Sequence, residues 1–183
     1  HSVSSEQPGK VLEEVCGSLG RAIADIRSLT FDLSSPILHE LGFEAAVAAW
    51  LADPIEQKHG ITTEFEDDRQ AKPLDDDIGA LLFRSVRELL FNVVKHANAN
   101  KVKVSIRRIG SRIRISVEDN GVGFDPTEAA SMAVGRAAFG LFSIRERLEE
   151  LGGRLKIDSE PGHGCRVVMT APIKHGQIAN DRN

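Results

Sequence analysis

Ile113-Arg114-Ile115-Ser116-Val117-Glu118-Asp119-Asn120-Gly121-Val122-Gly123-Phe124 alternates apolar and polar side chains as far as Val117, then breaks into carboxylates, an amide and two glycines. Alternation with period two puts Ile113, Ile115 and Val117 on one face of a strand. Val102, Val104 and Ile106 keep the same period just upstream, and the turn Ile109-Gly110-Ser111 joins the two runs into an antiparallel hairpin. Its second face is Lys, Arg and Ser, which water is expected to cover. Two further strands, Arg154 to Ser159 and Cys165 to Ala171, are expected around the turn Glu160-Pro161-Gly162-His163-Gly164.

A sheet with one apolar face needs helices over it. Upstream, Leu81, Leu82, Val86, Leu89, Leu90, Val93 and Val94 predict a largely buried helix from about Ile78 to Ala97. Before it, a helix from about Phe43 to Lys58 carries Pro54 as a kink or restart, and Gly60 ends it. Ile61 to Glu66 reads as a short strand, and Asp67 to Asp77 as a charged loop with Pro73. Downstream, Leu141, Ile144, Leu148 and Leu151 share one side of a helix from about Phe139, closed by Gly152-Gly153. The expected fold is α+β, a two-layer sandwich of helices on a sheet.

At the N-terminal end, Leu12, Val15, Leu19, Ala22, Ile26, Leu29 and Leu33 are spaced 3, 4, 3, 4, 3, 4. That is an a/d heptad seam, narrower than the stripe of a helix packed on its own domain, and it predicts a partner helix in a dimer or bundle. Ser34-Ser35-Pro36 stops it.

The chain has 183 residues, 41% hydrophobic and 27% charged, with formal net charge -4. These values fit a soluble globular domain and give no reason to expect nucleic acid as a partner. Cys16 and Cys165 match no metal or disulfide spacing, so a reducing, cytoplasmic setting is expected. No apolar run approaches the roughly 20 residues that span a bilayer; a membrane-anchored parent would carry its anchor elsewhere. His1 to Lys10 is polar and reads as a tag or linker remnant.

Chemistry gathers at four places. Glu88, Asn92, Lys95 and His96 emerge from one face of the otherwise apolar third helix. A solvated face would look the same. Asn, however, is a poor helix former and a good neutral oxygen ligand for Mg²⁺, while Glu88 could accept a proton and Lys95 with His96 could meet phosphate oxygens. Asp119 ends a strand, where a carboxylate can accept from an exocyclic amine, and Gly121 and Gly123 allow main chain to approach a flat ring; an ordinary Asn-Gly turn is the other reading. Gly140 falls at the start of the fourth helix, where free N–H groups suit an anion. Gly162 and Gly164 lie in a turn before the last strand.

In this order and spacing the four elements resemble the nucleotide-binding fold shared by histidine kinases, type II topoisomerases, heat-shock chaperone ATPases and mismatch-repair ATPases, a Bergerat-type ATP-binding fold. Within that superfamily, Arg87-Glu88-Leu89-Leu90-Phe91-Asn92 with Lys95-His96-Ala97, and Gly140-Leu141 with Ile144-Arg145-Glu146-Arg147, look like the sensor histidine kinases that pair with LuxR/NarL-type response regulators. Ile26-Arg27-Ser28-Leu29-Thr30-Phe31, with Leu38, Glu40, Leu41 and Gly42, looks like the second dimerisation helix of those kinases and its exit. The resemblance covers about Val11 to Ile173.

It implies residues 1–10 as remnant, 11–35 as dimerisation helix through which the parent forms a homodimer, 36–175 as ATP-binding catalytic domain and 176–183 as tail. Glu88 would be the polarising acid, Asn92 the Mg²⁺ ligand, and Lys95 and His96 phosphate contacts. Asp119 would bind the adenine amine of ATP, with Gly121 and Gly123 lining the base. Gly140 and Leu141 would close a lid, Asp125 to Phe139, over the phosphates, and Gly162 and Gly164 would form the last glycine box. Two departures stand out. Cys165 occupies a position where many members have Thr, and a thiol is a weaker hydrogen-bonding group. The phosphoacceptor histidine belongs on a first dimerisation helix that this sequence does not contain; His39-Glu40, beyond Pro36, is not in a heptad. The implied function is donation of the γ-phosphoryl of ATP to that histidine, and from there to a response regulator. The alternative is a non-catalytic nucleotide-binding and dimerisation scaffold.

Overall fold

A computed structural model of the chain describes residues 36–127 and 136–174, without the side chains of 36, 37, 39 and 136–139. The heptad segment 11–35, most of the expected lid and the 176–183 tail lie outside the described residues.

Among the described residues the main elements follow in the order α1 (Pro36–Leu41), α2 (Phe43–Trp50), β1 (Thr62–Asp67), α3 (Asp76–Asn92), β2 (Lys101–Ile109), β3 (Arg112–Asp119), α4 (Arg136–Glu150), β4 (Arg154–Ser159) and β5 (Cys165–Pro172). The sheet order is β1-β2-β3-β5-β4. β1 runs parallel to β2 and every other pairing is antiparallel. The hairpin has the expected register, with Ile106 opposite Ile115 and Val104 opposite Val117.

Those apolar residues, with Ile113, Met169 and Ala171, are buried under α2, α3 and α4. α3 is the central helix: Ile78, Leu82, Val86 and Leu90 have no exposed surface. Asp76 and Asp77 in its first turn complement the positive end of the helix, and the Asp77 carboxylate accepts from the Ile78 N–H at 2.9 Å. Arg87 lays its guanidinium over the Trp50 ring, 4.2 Å from the centroid, and so joins α3 to α2.

Two helices end differently from the simple pattern. α2 passes at Leu51–Gln57 into a wide π-type turn containing Pro54, which lacks the N–H that an α-turn would use. α3 widens in the same way at Val93–Ala97 before Asn98 takes up a left-handed conformation, φ 48°.

The outer face of the sheet is a ladder of charges rather than a uniformly wet surface. Lys101 meets Glu64 at 2.7 Å, Lys103 meets Glu66 at 2.6 Å, and Arg166 meets Glu118 at 3.3 Å. Ser116, expected in water, is only 3% exposed, covered by Arg166, whose Nε donates to Ser116 Oγ at 3.2 Å. No helix among the described residues is long and apolar enough to cross a membrane.

In the loop from β1 to α3, Lys72 is drawn inward and its ammonium lies 2.6 Å from Asp67, 2.7 Å from Asp68 and 3.3 Å from Glu44. Burial weakens its hold on a proton, but the hydrogen bonds to Asp67 and Asp68 outweigh this and keep it above the ordinary lysine range. Asp68 is held down to about 2, chiefly by Lys72, and its carboxylate also accepts from the Arg108 N–H at 2.6 Å.

Candidate active site

The end of β3, the turn between β4 and β5 and the end of α3 meet in one knot of main chain. A Cβ on Gly121 would collide with the Ala97 carbonyl, one on Gly123 with the Glu160 carbonyl, and one on Gly164 with the Asp119 carbonyl. Gly123 and Gly164 also have φ of +60° and +74°, where an L side chain is strained. Glycine is therefore required at all three positions by what surrounds them. Hydrogen bonds lock the contact: Val122 N–H donates to Ala97 O at 2.7 Å, and Gly162 N–H to Val122 O at 2.6 Å. Gly162 differs, since its φ is +83° but open space surrounds its Cβ position.

Asn120 fastens the same knot to β2. Its Oδ1 accepts from the Lys101 N–H at 3.0 Å, and its Nδ2 donates to Asn100 Oδ1 at 2.7 Å. The sequence reading gave this residue no role of its own.

Asp119 and Cys165 are opposed across β3 and β5. They line a cleft at the strand ends together with Pro126, Ser159, Glu160 and His163. Burial raises the Asp119 carboxyl above the ordinary carboxylate range, and the backbone N–H groups of Gly121 and Cys165 pull it part of the way back. Gly121 N–H donates to Asp119 Oδ1 at 2.9 Å. Burial and then the charge of Asp119 push the Cys165 thiol up to about 11. At neutral pH it is an S–H group.

Glu88 meets Gly140 where α3 crosses α4: a Cβ on Gly140 would lie 2.9 Å from Glu88 Oε1, so a larger residue there would have the carboxylate shift. Asn92, one turn further along α3, buries its Nδ2 without a hydrogen-bond partner among the described residues. An unmet buried amide is costly in a folded protein, and a bound water, ion or ligand atom is what can meet it. Rotating that amide exchanges oxygen for nitrogen, so the side chain offers either.

Lys95 and His96 lie in the π-type turn Val93–Ala97, beyond the α-helical part that carries Glu88 and Asn92. Both are exposed, and Lys95 Nζ stands 3.9 Å from the centroid of the Phe91 ring. Gly140 does not start its helix. α4 begins at Arg136, the adjoining Ala137-Ala138 favouring helix, so the free N–H groups of its first turn belong to residues before Gly140. Leu141 packs against the hydrophobic core.

No group of three or more His, Cys, Asp or Glu side chains that could hold a metal ion occurs among the described residues. Mg²⁺ in nucleotide sites keeps several waters and is bound by one or two protein oxygens plus substrate phosphates. Asn92 fits as one such oxygen.

Residues 78–175 match the family model of the histidine kinase-, DNA gyrase B- and HSP90-like ATPases. The oxygen sensor histidine kinase NreB of Staphylococcus carnosus is 32% identical over 86% of this chain and 44% of its own length. An uncharacterized sensor-like histidine kinase of Chloroflexus aurantiacus is 31% identical over 89% of this chain and 28% of its own. The chain thus spans less than half the length of these relatives. Among solved structures, Acinetobacter baumannii histidine kinase AdeS has the same fold, with a TM-score of 0.61 at 16% identity over 94% of this chain and 87% of that one.

Proposed function

Because the chain belongs to the histidine kinase-, DNA gyrase B- and HSP90-like ATPase family, we propose that residues 36–175 are the ATP·Mg²⁺-binding catalytic domain of a two-component sensor histidine kinase. The observation that carries this reading is Asp119, a half-buried carboxylate in a cleft at the strand ends, with Gly164 pressed against its main chain. Beyond the backbone N–H groups it already meets, such a carboxylate can accept from an exocyclic amine, and the glycines beside it let main chain approach a flat base.

In this reading Asp119 accepts from the adenine amine and Gly121 and Gly123 line the base. Gly162, Gly164 and Cys165 close the wall behind Asp119. Asn92 contributes its amide oxygen to Mg²⁺, which when bound would neutralise phosphate charge. Lys95 and His96, exposed beyond Asn92, reach phosphate oxygens. Gly140 and Leu141 close the lid side, and Glu88 orients or deprotonates the attacking group. Positioning and charge compensation supply most of the catalysis in phosphoryl transfer. The acceptor is a histidine upstream of this segment in the parent protein, and the phosphoryl passes on to a response regulator of the LuxR/NarL type. Segment 11–35 is the second dimerisation helix, through which the parent pairs as a homodimer with this part in the cytoplasm.

Calorimetric titration with ATP and Mg²⁺ tests the site. Wild type binds and Asp119→Asn does not; a wild type that fails to bind removes the nucleotide reading and leaves a scaffold. In the full-length protein, Glu88→Gln keeps ATP binding and loses autophosphorylation by about 100-fold or more. Unchanged autophosphorylation removes the role given to Glu88.

A further inference from the structure

We propose that Ser159 is a positioning residue for the adenine-binding carboxylate, an inference that rests on the nucleotide reading above. Ser159 is the last residue of β4 and is opposed to Cys165, which is in turn opposed to Asp119, so the three form one row across β4, β5 and β3. Its hydroxyl works in two directions. It accepts from the Phe124 N–H at 3.0 Å and donates to the Gly164 carbonyl at 3.0 Å.

Those two partners belong to different loops. Phe124 follows the glycine pair after Asp119, and Gly164 precedes Cys165. Gly164 is pressed so closely on the Asp119 backbone that a Cβ there would meet the Asp119 carbonyl and lie 3.1 Å from Asn120 Cα. A shift of Gly164 is therefore transmitted directly to Asp119. The other tie between the loops, Gly162 N–H to Val122 O, is main chain to main chain. Ser159 thus supplies the side chain that fixes both loops behind Asp119.

Removing the hydroxyl leaves the Phe124 N–H without its acceptor and frees the Gly164 carbonyl, so the carboxylate loses its fixed aim while the phosphate end of the site is untouched. The test measures affinity for ATP and for inorganic tripolyphosphate by displacement of a fluorescent ATP analogue, on wild type, Ser159→Ala and Ser159→Thr. Ser159→Ala weakens ATP about tenfold, leaves tripolyphosphate unchanged, and Ser159→Thr, which keeps the hydroxyl, restores ATP affinity to within about threefold of wild type, each factor of ten being about 1.4 kcal/mol. Three results overturn the assignment: ATP bound equally by wild type and Ser159→Ala, ATP and tripolyphosphate weakened alike, or no rescue by Ser159→Thr. A wild type that binds no ATP fails at the nucleotide reading itself, and the role of Ser159 falls with it.

Discussion

Burial holds the Asp119 carboxyl above the ordinary carboxylate range, so its ionisation opposes folding. The stability this group contributes is full below its unfolded value of about 4 and is lost as pH rises through the higher folded value. Asp119→Asn removes that dependence. Calorimetric melting is expected to show the variant gaining on wild type as pH rises from about 4 to about 7, although the variant has lost ATP. A wild type that gains instead would reverse the sign. The glycines offer a second test. Gly162→Ala meets only backbone strain and costs about 1 kcal/mol; Gly164→Ala adds a main-chain collision and costs about 3 kcal/mol or more. Denaturant midpoints check the difference, and equal costs would mean that the wall yields. At this scale the sequence was legible where residue type is itself the constraint, as at Asp119 and the glycine pairs. Ser159 was not, because a serine ending a strand looks like any polar edge until its two partners are seen.

The strands and the hairpin register followed from period two, and α3 from its apolar stripe. Widening of α2 and α3 into π-type turns did not, because the apolar positions before the turn are the same either way. Lys72 was equally hidden: lysine is expected in water, and only the fold brings Glu44 to Asp67 and Asp68. Since this ammonium serves three carboxylates, Lys72→Met is expected to lower the urea midpoint at pH 7 more than Glu44→Gln, Asp67→Asn or Asp68→Asn singly. Asp68 adds a pH dependence. Its depressed pKa contributes stability that is present above the unfolded value of about 4 and lost as pH falls through about 2. The gap between wild type and Lys72→Met therefore narrows over that window; a constant gap would show that the charges contribute nothing.

Across the molecule, helices on one face of a sheet were foreseeable from patterning, but the sheet order was not. β1 lies parallel to β2 with α3 as the crossover between them, and β5 inserts between β3 and β4. Pairings between strands far apart in sequence leave no local signature. For function, the expected behaviour of the 183-residue chain is to bind ATP without labelling itself from [γ-³²P]ATP. Autoradiography of the purified chain after incubation with the labelled nucleotide checks this, and strong self-labelling would place a phosphoacceptor within these 183 residues. The glycine wall has one more consequence, for inhibition. A compound that rests on the peptide groups of Gly121, Gly123 and Gly164 touches atoms that no substitution can delete, and a side chain added there would break the wall it was meant to defend. Resistance to such a compound would have to arise outside those three positions.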